Sequence, residues 1–384
     1  MDSYNVILPR AVYSGVNALS HLRQVAAKSK KTAVFTDASI MKLGLADRAV
    51  EILRQAGVET EIIADLPPEP TYTQVQRCVD QFRSAGADLI VAIGGGSVMD
   101  TAKLAGLLAG SGYTVSDLLN DPAIVSRSVP TCLIPTTAGT GSEATPNAIV
   151  AVPEQELKVG IVNPDMVPDY VILDPDIIRN LPRKIAASTG IDAMAHAIEC
   201  YTSNKANPFS DFFALEAFDL IIHNIEPACD DPDAIQEKSR MQLAAFYAGV
   251  SIACSGTTAV HALSYPLGGK YHIPHGVSNA ILLMPVMQFN EPFIRARLAQ
   301  VYDRAAHGEG NCTSEEAKSL WVIQRMERIV RHLDIPTNLS AYHVSADDLD
   351  ELVQAGMKVT RLLNNNARPV TEQDARDIYL QVIE

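Results

Sequence analysis

No run of apolar residues in this 384-residue chain approaches the ~20 that span a bilayer, so a membrane protein is not expected. The N-terminal MDSYNVILPRAVYSG begins acidic and has no long apolar segment, which argues against a secretory leader. The six cysteines (Cys78, Cys132, Cys200, Cys229, Cys254, Cys312) are scattered and form no CxxC pair. That usage suits reduced, buried thiols and a cytoplasmic protein rather than a disulfide framework. Basic residues are scarce: 31 Lys and Arg against 45 Asp and Glu leave a net charge of −14, which argues against nucleic acid and anionic membrane as main partners. Internal repeats, low-complexity tracts and coiled-coil heptads are also missing. What remains is an ordinary globular composition, 47% hydrophobic and 20% charged, in a chain long enough for two domains.

Short β-rich runs alternate with amphipathic helical patterns up to Leu181, the signature of a Rossmann-like α/β domain with a parallel sheet over residues 1–181. Strands are expected at 32–36, 61–64, 88–93, 132–134, 148–152 and 170–173, with helices over 40–56 and 73–84. Their continuous apolar character fits parallel strands buried on both faces. After Pro182 the pattern is helical throughout, at about 183–202, 208–228, 233–254, 257–266, 275–289, 291–306, 314–333, 346–360 and 371–382. An all-helical domain is therefore expected over 182–384.

AIGGGSVMDTAK (92–103) follows the most strand-like run and opens a helix. Three successive glycines let the backbone approach a ligand, and their N–H groups with the helix N-terminus suit a pyrophosphate. The pattern is neither G-x-G-x-x-G nor a Walker loop, and a tight strand-to-helix turn is the other reading. PTTAGTGSEAT (135–145) is a second small-residue loop after a strand, offering hydroxyls at Thr136, Thr137, Thr140, Ser142 and Thr145. Two such loops at the carboxyl ends of strands in one parallel sheet point to a nucleotide crevice. Asp37, just past the first strand, can accept hydrogen bonds from an adenosine ribose and repel a 2′-phosphate, or can cap the next helix.

TGIDAMAHAIE (189–199) places Asp192 and His196 four apart in a helical pattern, on one face. They can converge on a cation or bond to one another. HALSYPLGGKYHIPHG (261–276) then carries three of the nine histidines. His261 sits in an apolar helical setting, and His275 follows Pro274 as in a first helical turn. Singly, each is as readily a core or capping histidine. Together, one Asp and three His (His196, His261, His275) on three helical segments suit a borderline divalent ion, Fe(II) or Zn(II).

In order along the chain, Thr36-Asp37, GGGS with Asp100 and Lys103, PTTAGTGSE, GIDAMAHAIE, HALSYPLG, IPHG and NNNARPVTEQD resemble the iron-containing (group III) alcohol dehydrogenases, relatives of lactaldehyde reductase and 1,3-propanediol dehydrogenase. The resemblance covers essentially the whole chain. It implies metal ligands at Asp192, His196, His261 and His275. It implies cofactor contacts from Gly95, Gly96 and Ser97 to the pyrophosphate, with Asp100 in the same motif. Thr136, Thr137, Thr140, Asn147 and Lys158 would lie along the ribose and nicotinamide side. Asp37 would hold the adenosine ribose and favour NAD over NADP. A homodimer is the family expectation. The chain departs from the family pattern twice: Glu69 stands where Asn is common, and Tyr265 where many members carry a further His near the metal.

What the resemblance implies is a metal-dependent dehydrogenase that moves a hydride between NAD(H) and a small alcohol or aldehyde, the metal acting as a Lewis acid. Tyr265 keeps a hydroxyl but no group titrating near neutrality. His272 is a candidate for the proton route or a loop histidine without a role. Lys270 either meets an anionic group on the substrate or sits in solvent. The rival readings are a metal- and NAD-dependent lyase or cyclase of the dehydroquinate-synthase kind, and a non-catalytic NAD-binding protein.

Overall fold

The computed structural model of the chain describes residues 4–155 and 157–383; residues 1–3, which open the stretch read as lacking a leader, lie outside it. The described residues form two compact units, Ile7–Leu181 and the chain from Pro182 onward, the latter joined by residues 4–6.

The first unit carries eight strands: β1 (Ala11–Ser14), β2 (Lys31–Phe35), β3 (Glu59–Ile63), β4 (Leu89–Gly94), β5 (Thr131–Pro135), β6 (Asn147–Val152), β7 (Leu157–Val162) and β8 (Tyr170–Leu173). Six make a sheet in the order β1-β8-β5-β4-β2-β3, and every pairing in it is parallel. The apolar runs follow from this. Phe35, Ile90, Ala92 and Leu133 enter one core, while Val34, Val91, Ile93, Cys132 and Ile134 enter another. Both faces are thus covered, so alternation disappears from the central strands.

The run at 148–152 belongs elsewhere. It pairs antiparallel with β7 in a separate two-stranded ribbon, and its burial alternates as a half-exposed strand requires. β1 and β7 gave little signal: β1 is four residues of half-exposed edge, and LKVGIV interrupts its apolar run with Lys158 and Gly160. The helix expected over 40–56 is two, Ala38–Lys42 and Leu45–Gln55, separated where Gly44 takes φ 69°.

The connection leaving β2 runs outward to β3, and the one leaving β4 runs the other way to β5. The crevice at such a reversal, beyond the carboxyl ends of β2 and β4, is where open α/β sheets take ligands. Asp37 follows β2, and Gly95 follows β4 into the helix Gly96–Leu108 (α1).

The described residues after Pro182 contain no strand. The central helix Arg183–Thr202 (α2) is buried continuously from Gly190 to Thr202, as a helix surrounded by others must be. Pro208–Asp230 (α3) and Ile235–Cys254 pack against it, as does His275–Ala305 (α5); Ala259–Tyr271 (α4) packs on α5, and Leu349–Met357 (α6) on α4. α4 continues through Pro266, and α5 runs as one helix through Pro285 and Pro292, so the stops expected at 266 and 289 do not occur. Proline removes one hydrogen bond and bends a helix, and tertiary packing holds the rest in line. No single helix among the described residues is long and apolar enough to cross a membrane.

The first turn of α5 crosses α2 closely. A Cβ at Gly276 would lie 2.1 Å from the Ser188 carbonyl oxygen, so no other residue fits without separating the two backbones. Gly276→Ala is expected to cost at least about 1–3 kcal/mol and to lower the thermal midpoint by several degrees. Calorimetry checks this, and an unchanged midpoint contradicts the close crossing.

Candidate active site

Three helices bring the metal candidates together. Asp192 and His196 lie one turn apart on α2, His261 is in the first turn of α4, and His275 opens α5. One oxygen, Asp192 Oδ1, stands 3.7 Å from His196 Nε2, 3.5 Å from His261 Nε2 and 3.6 Å from His275 Nε2. Ligands at about 2.1 Å from a tetrahedral ion are about 3.4 Å apart, so these separations fit a single small cation. Donor atoms of Asp192, His261 and His275 also lie within 4.8 Å of one another. His196 is outside that closed triple but is held close by its distance to Asp192 and by stacking on His261 at 4.6 Å.

The electrostatics favour positive charge. Burial alone would raise the Asp192 carboxyl, yet the facing His196, His275 and His261 hold it well below the usual carboxylate range. Burial opposes charge on His261 too, but Glu199 and Asp192 push it up to about 9. Only His275 is substantially open, its side chain 35% exposed, so the centre has one accessible side.

Two residues without a role in the sequence reading complete this centre. Glu199 is fully buried and accepts from Thr258 N at 2.9 Å, Thr258 Oγ1 at 2.7 Å and Val260 N at 3.0 Å, and it bonds His261 Nδ1. A carboxylate on Nδ1 fixes the tautomer that turns the Nε2 lone pair toward Asp192. Asn279, one turn beyond His275, donates through Nδ2 to Asp192 Oδ1 at 2.7 Å and lies 3.0 Å from His261 Nε2 and 3.3 Å from His275 Nε2. The signal for both was helical spacing: Glu199 is three residues past His196, and Asn279 four past His275.

Tyr265 lies one turn beyond His261, its ring 6.1 Å from that of His275. His272 is elsewhere: exposed, at φ 54°, it caps the end of α4 by donating its N–H to Leu267 O. Lys270 is committed to an ion pair, Nζ lying 2.5 Å from Glu351 Oε2 on α6 and 3.5 Å from Asp348 Oδ1; the Glu351 contact raises its pKa.

In the α/β unit, Gly95 caps α1. A Cβ at Gly96 would meet Thr140 at 3.1 Å, so the two small-residue loops touch. Ser97 Oγ accepts from Glu69 N at 3.4 Å. Thr136 is buried, the buried Thr137 Oγ1 has no hydrogen-bond partner, and Thr140 Oγ1 accepts from Ser142 N at 3.3 Å. An orphaned buried hydroxyl in this loop fits a polar ligand. Asp37 caps Ala38–Lys42, with Oδ1 accepting from Ser39 N at 2.8 Å and Ile40 N at 3.0 Å. Lys158 pairs with Glu69 at 2.6 Å.

Asp100 is occupied inside the fold: Ser142 Oγ donates to it at 2.5 Å, Ile149 N at 2.9 Å, and Lys103 Nζ pairs with it at 2.9 Å. The buried Lys103 ammonium also donates to Ser142 O at 3.0 Å, Thr145 Oγ1 at 3.2 Å and the Asn147 carbonyl. These two side chains staple α1 to the second loop and to β6. Beside them Glu143 is buried, and burial pushes its pKa up to about 7, with Lys103 opposing and Asp100 assisting.

The chain is similar to known proteins along nearly its whole length. The family model described as iron-containing alcohol dehydrogenase matches residues 9–175, and that of the Fe-containing alcohol dehydrogenase family, C-terminal, matches 186–383. Long-chain-alcohol dehydrogenase 1 of Geobacillus thermodenitrificans (strain NG80-2) is 33% identical over 384 residues, 99% of this chain and 96% of that protein. The sulfoacetaldehyde reductase of Bilophila wadsworthia (strain 3_1_6) is 31% identical over 358 residues, 93% of this chain and 92% of that protein. The crystal structure of a 1,3-propanediol oxidoreductase superposes with a TM-score of 0.92 at 29% identity, covering 99% of this chain and 100% of that one.

Two outcomes are expected. Glu199→Gln removes the charge that orients His261 and should weaken binding of Fe(II) or Zn(II) roughly 10- to 100-fold, measured by competition with a chelator; unchanged affinity contradicts the orienting role. Glu143 titrates from 4.5 in a free chain to about 7 in the fold. Between those values the folded state keeps a proton that the unfolded chain releases, so stability falls as pH rises through the window and levels off above it. The thermal midpoint of Glu143→Gln relative to the parent should therefore climb between about pH 5 and about pH 8, by on the order of a few degrees. A constant difference contradicts it.

Proposed function

The chain belongs to the iron-containing alcohol dehydrogenase family, and on that premise we propose that it interconverts a small alcohol and its aldehyde with NAD(H), using Fe(II), or Zn(II) in its place, at the Asp192 centre. The observation that carries the reading is the set of three imidazole nitrogens around one buried carboxylate oxygen. Two or three imidazoles with one carboxylate suit either ion.

When bound, the ion supplies Lewis-acid polarisation of the carbonyl oxygen and the dinucleotide supplies the hydride. Asp192, His196, His261 and His275 hold the ion. Glu199 keeps His261 in its binding tautomer, and Asn279 keeps the Asp192 carboxylate in place. The open side at His275 admits substrate. Tyr265, beside His275, offers a hydroxyl that can orient a substrate oxygen or pass a proton between partners, but it does not store one near neutral pH. Lys270 reaches a substrate anion only by sharing or leaving its pair with Glu351, and the backbone N–H of His272 caps α4 while its side chain stays exposed; the likeness to a sulfoacetaldehyde reductase supports the anionic-substrate reading.

For the cofactor, Gly95, Gly96 and Ser97 with the α1 N-terminus take the pyrophosphate, and Thr136, Thr137, Thr140 and Asn147 line the ribose and nicotinamide side. Asp37 keeps Oδ2 for the adenosine ribose, which selects NAD over NADP. Asp100 acts through Lys103 and Ser142, as a positioning residue. Lys158 reaches the cofactor only by sharing or leaving its pair with Glu69. Six free cysteines support a reducing, cytoplasmic setting. The edge strand β1 with exposed Ile7, Leu8, Val12 and Val16 supports pairing with a second copy as a homodimer.

An NADH-oxidation screen over small aldehydes, with chelator-stripped protein reloaded separately with Fe(II) and Zn(II), tests the reading. Turnover is expected with at least one ion, and Asp192→Asn should lower kcat/KM by at least about 10²-fold. No turnover with either ion, or an undiminished Asp192→Asn, overturns it.

A further inference from the structure

A second convergence of metal-ligating side chains lies in the helical unit, among residues the catalytic reading does not use. Asp219 and His223 are four apart on α3, and His307 follows the end of α5. Asp219 Oδ1 stands 3.0 Å from His307 Nε2 and 3.4 Å from His223 Nε2. One donor atom from each residue lies within 4.8 Å of the other two. These separations are those of ligands sharing one small ion, which lie about 3.4 Å apart.

The state of the carboxylate argues against an ordinary ion pair. Asp219 is 8% exposed, and its Oδ1 is buried with no hydrogen-bond partner. Both imidazole nitrogens are near it, yet neither directs an N–H at it. The two rings instead stack 4.3 Å apart at 12°, and His223 Nε2 donates to the Ala305 carbonyl oxygen at 2.9 Å, a hydrogen bond that an ion on Nε2 would replace. A buried acceptor without a donor is costly, and a cation between Asp219 and the two imidazoles would satisfy it. Arg304 is 3.4 Å from the other oxygen, Asp219 Oδ2, but is itself engaged by Glu216, so the cluster keeps a net negative charge. The side opposite Asp219 is open, the His307 side chain being 56% exposed, which leaves positions for water.

We propose that Asp219, His223 and His307 form a second divalent-metal site, separate from the Asp192 centre. Two imidazoles and one carboxylate select a borderline ion of the zinc class over calcium or magnesium. An ion there would tie the turn after α5 to α3.

The test is zinc stoichiometry. Chelator-stripped protein is dialysed against ZnCl2, and bound zinc is measured per chain. The parent should hold two equivalents, and the His223→Ala/His307→Ala variant one, with its aldehyde reduction unchanged. The Asp192→Asn/His261→Ala variant should keep the equivalent that its partner variant loses. Because His307 is mostly exposed, the first variant is expected to fold, and its circular dichroism checks this. A His223→Ala/His307→Ala protein that binds as much zinc as the parent overturns the proposal. A parent that binds one equivalent, lost only in that variant, supports this site and contradicts the Asp192 centre instead.

Discussion

A carboxylate buried among three imidazoles is the constraint from which the helical unit can be understood. Asp192 is 2% exposed, and removing such a charge from water is expensive unless positive charge compensates it. His196, His261 and His275 face the same oxygen, and neutral imidazoles offer it lone pairs rather than charge. A divalent ion resolves that conflict for all four groups at once. The depressed Asp192 and raised His261 report the same demand in terms of protons.

Holding four donors to within a few tenths of an ångström then places demands on residues that touch no ion. Glu199 turns His261, and the Thr258 and Val260 amides in turn hold Glu199. Gly276 lets the His275 turn press against the Ser188 backbone. Asn279 reaches back from the next turn of the same helix. The α/β unit repeats the logic with a buried cation in place of a buried anion: the Lys103 ammonium is surrounded by carbonyls of the second loop, and Asp100 balances its charge. Rigid loops are what a dinucleotide needs, since every hydrogen bond it makes is stronger when its partner is already in place.

Much of this was legible in the residues. The Asp192–His196 spacing names a helix face, and the apolar runs of β2, β4, β5 and β8 name buried parallel strands. The assembly of His261 and His275 with that pair is tertiary: the residue types suggested one ion for all four, and the family resemblance implied them as its ligands. Glu199 escaped notice because a carboxylate late in a helix usually faces water; its spacing from His196 hinted at the same face, and its burial confirms it. Asp100 looked like a ligand contact from its motif, and only the fold reveals Lys103 and Ser142 taking up its oxygens. Lys270 and His272 sit in the richest stretch of the chain, yet helix geometry turns one toward Glu351 and makes the other a cap. The strand at 148–152 was visible as a strand but not as a ribbon, because Lys158 and Gly160 break the apolar run of its partner β7.

The most direct measurement is an anomalous-scattering crystal structure of the iron-loaded protein. The account predicts an iron peak bonded to Asp192 Oδ1 and to the Nε2 atoms of His196, His261 and His275, with Glu199 on the far side of the His261 ring. An iron peak that is missing from this centre, or one held by other residues, would contradict it.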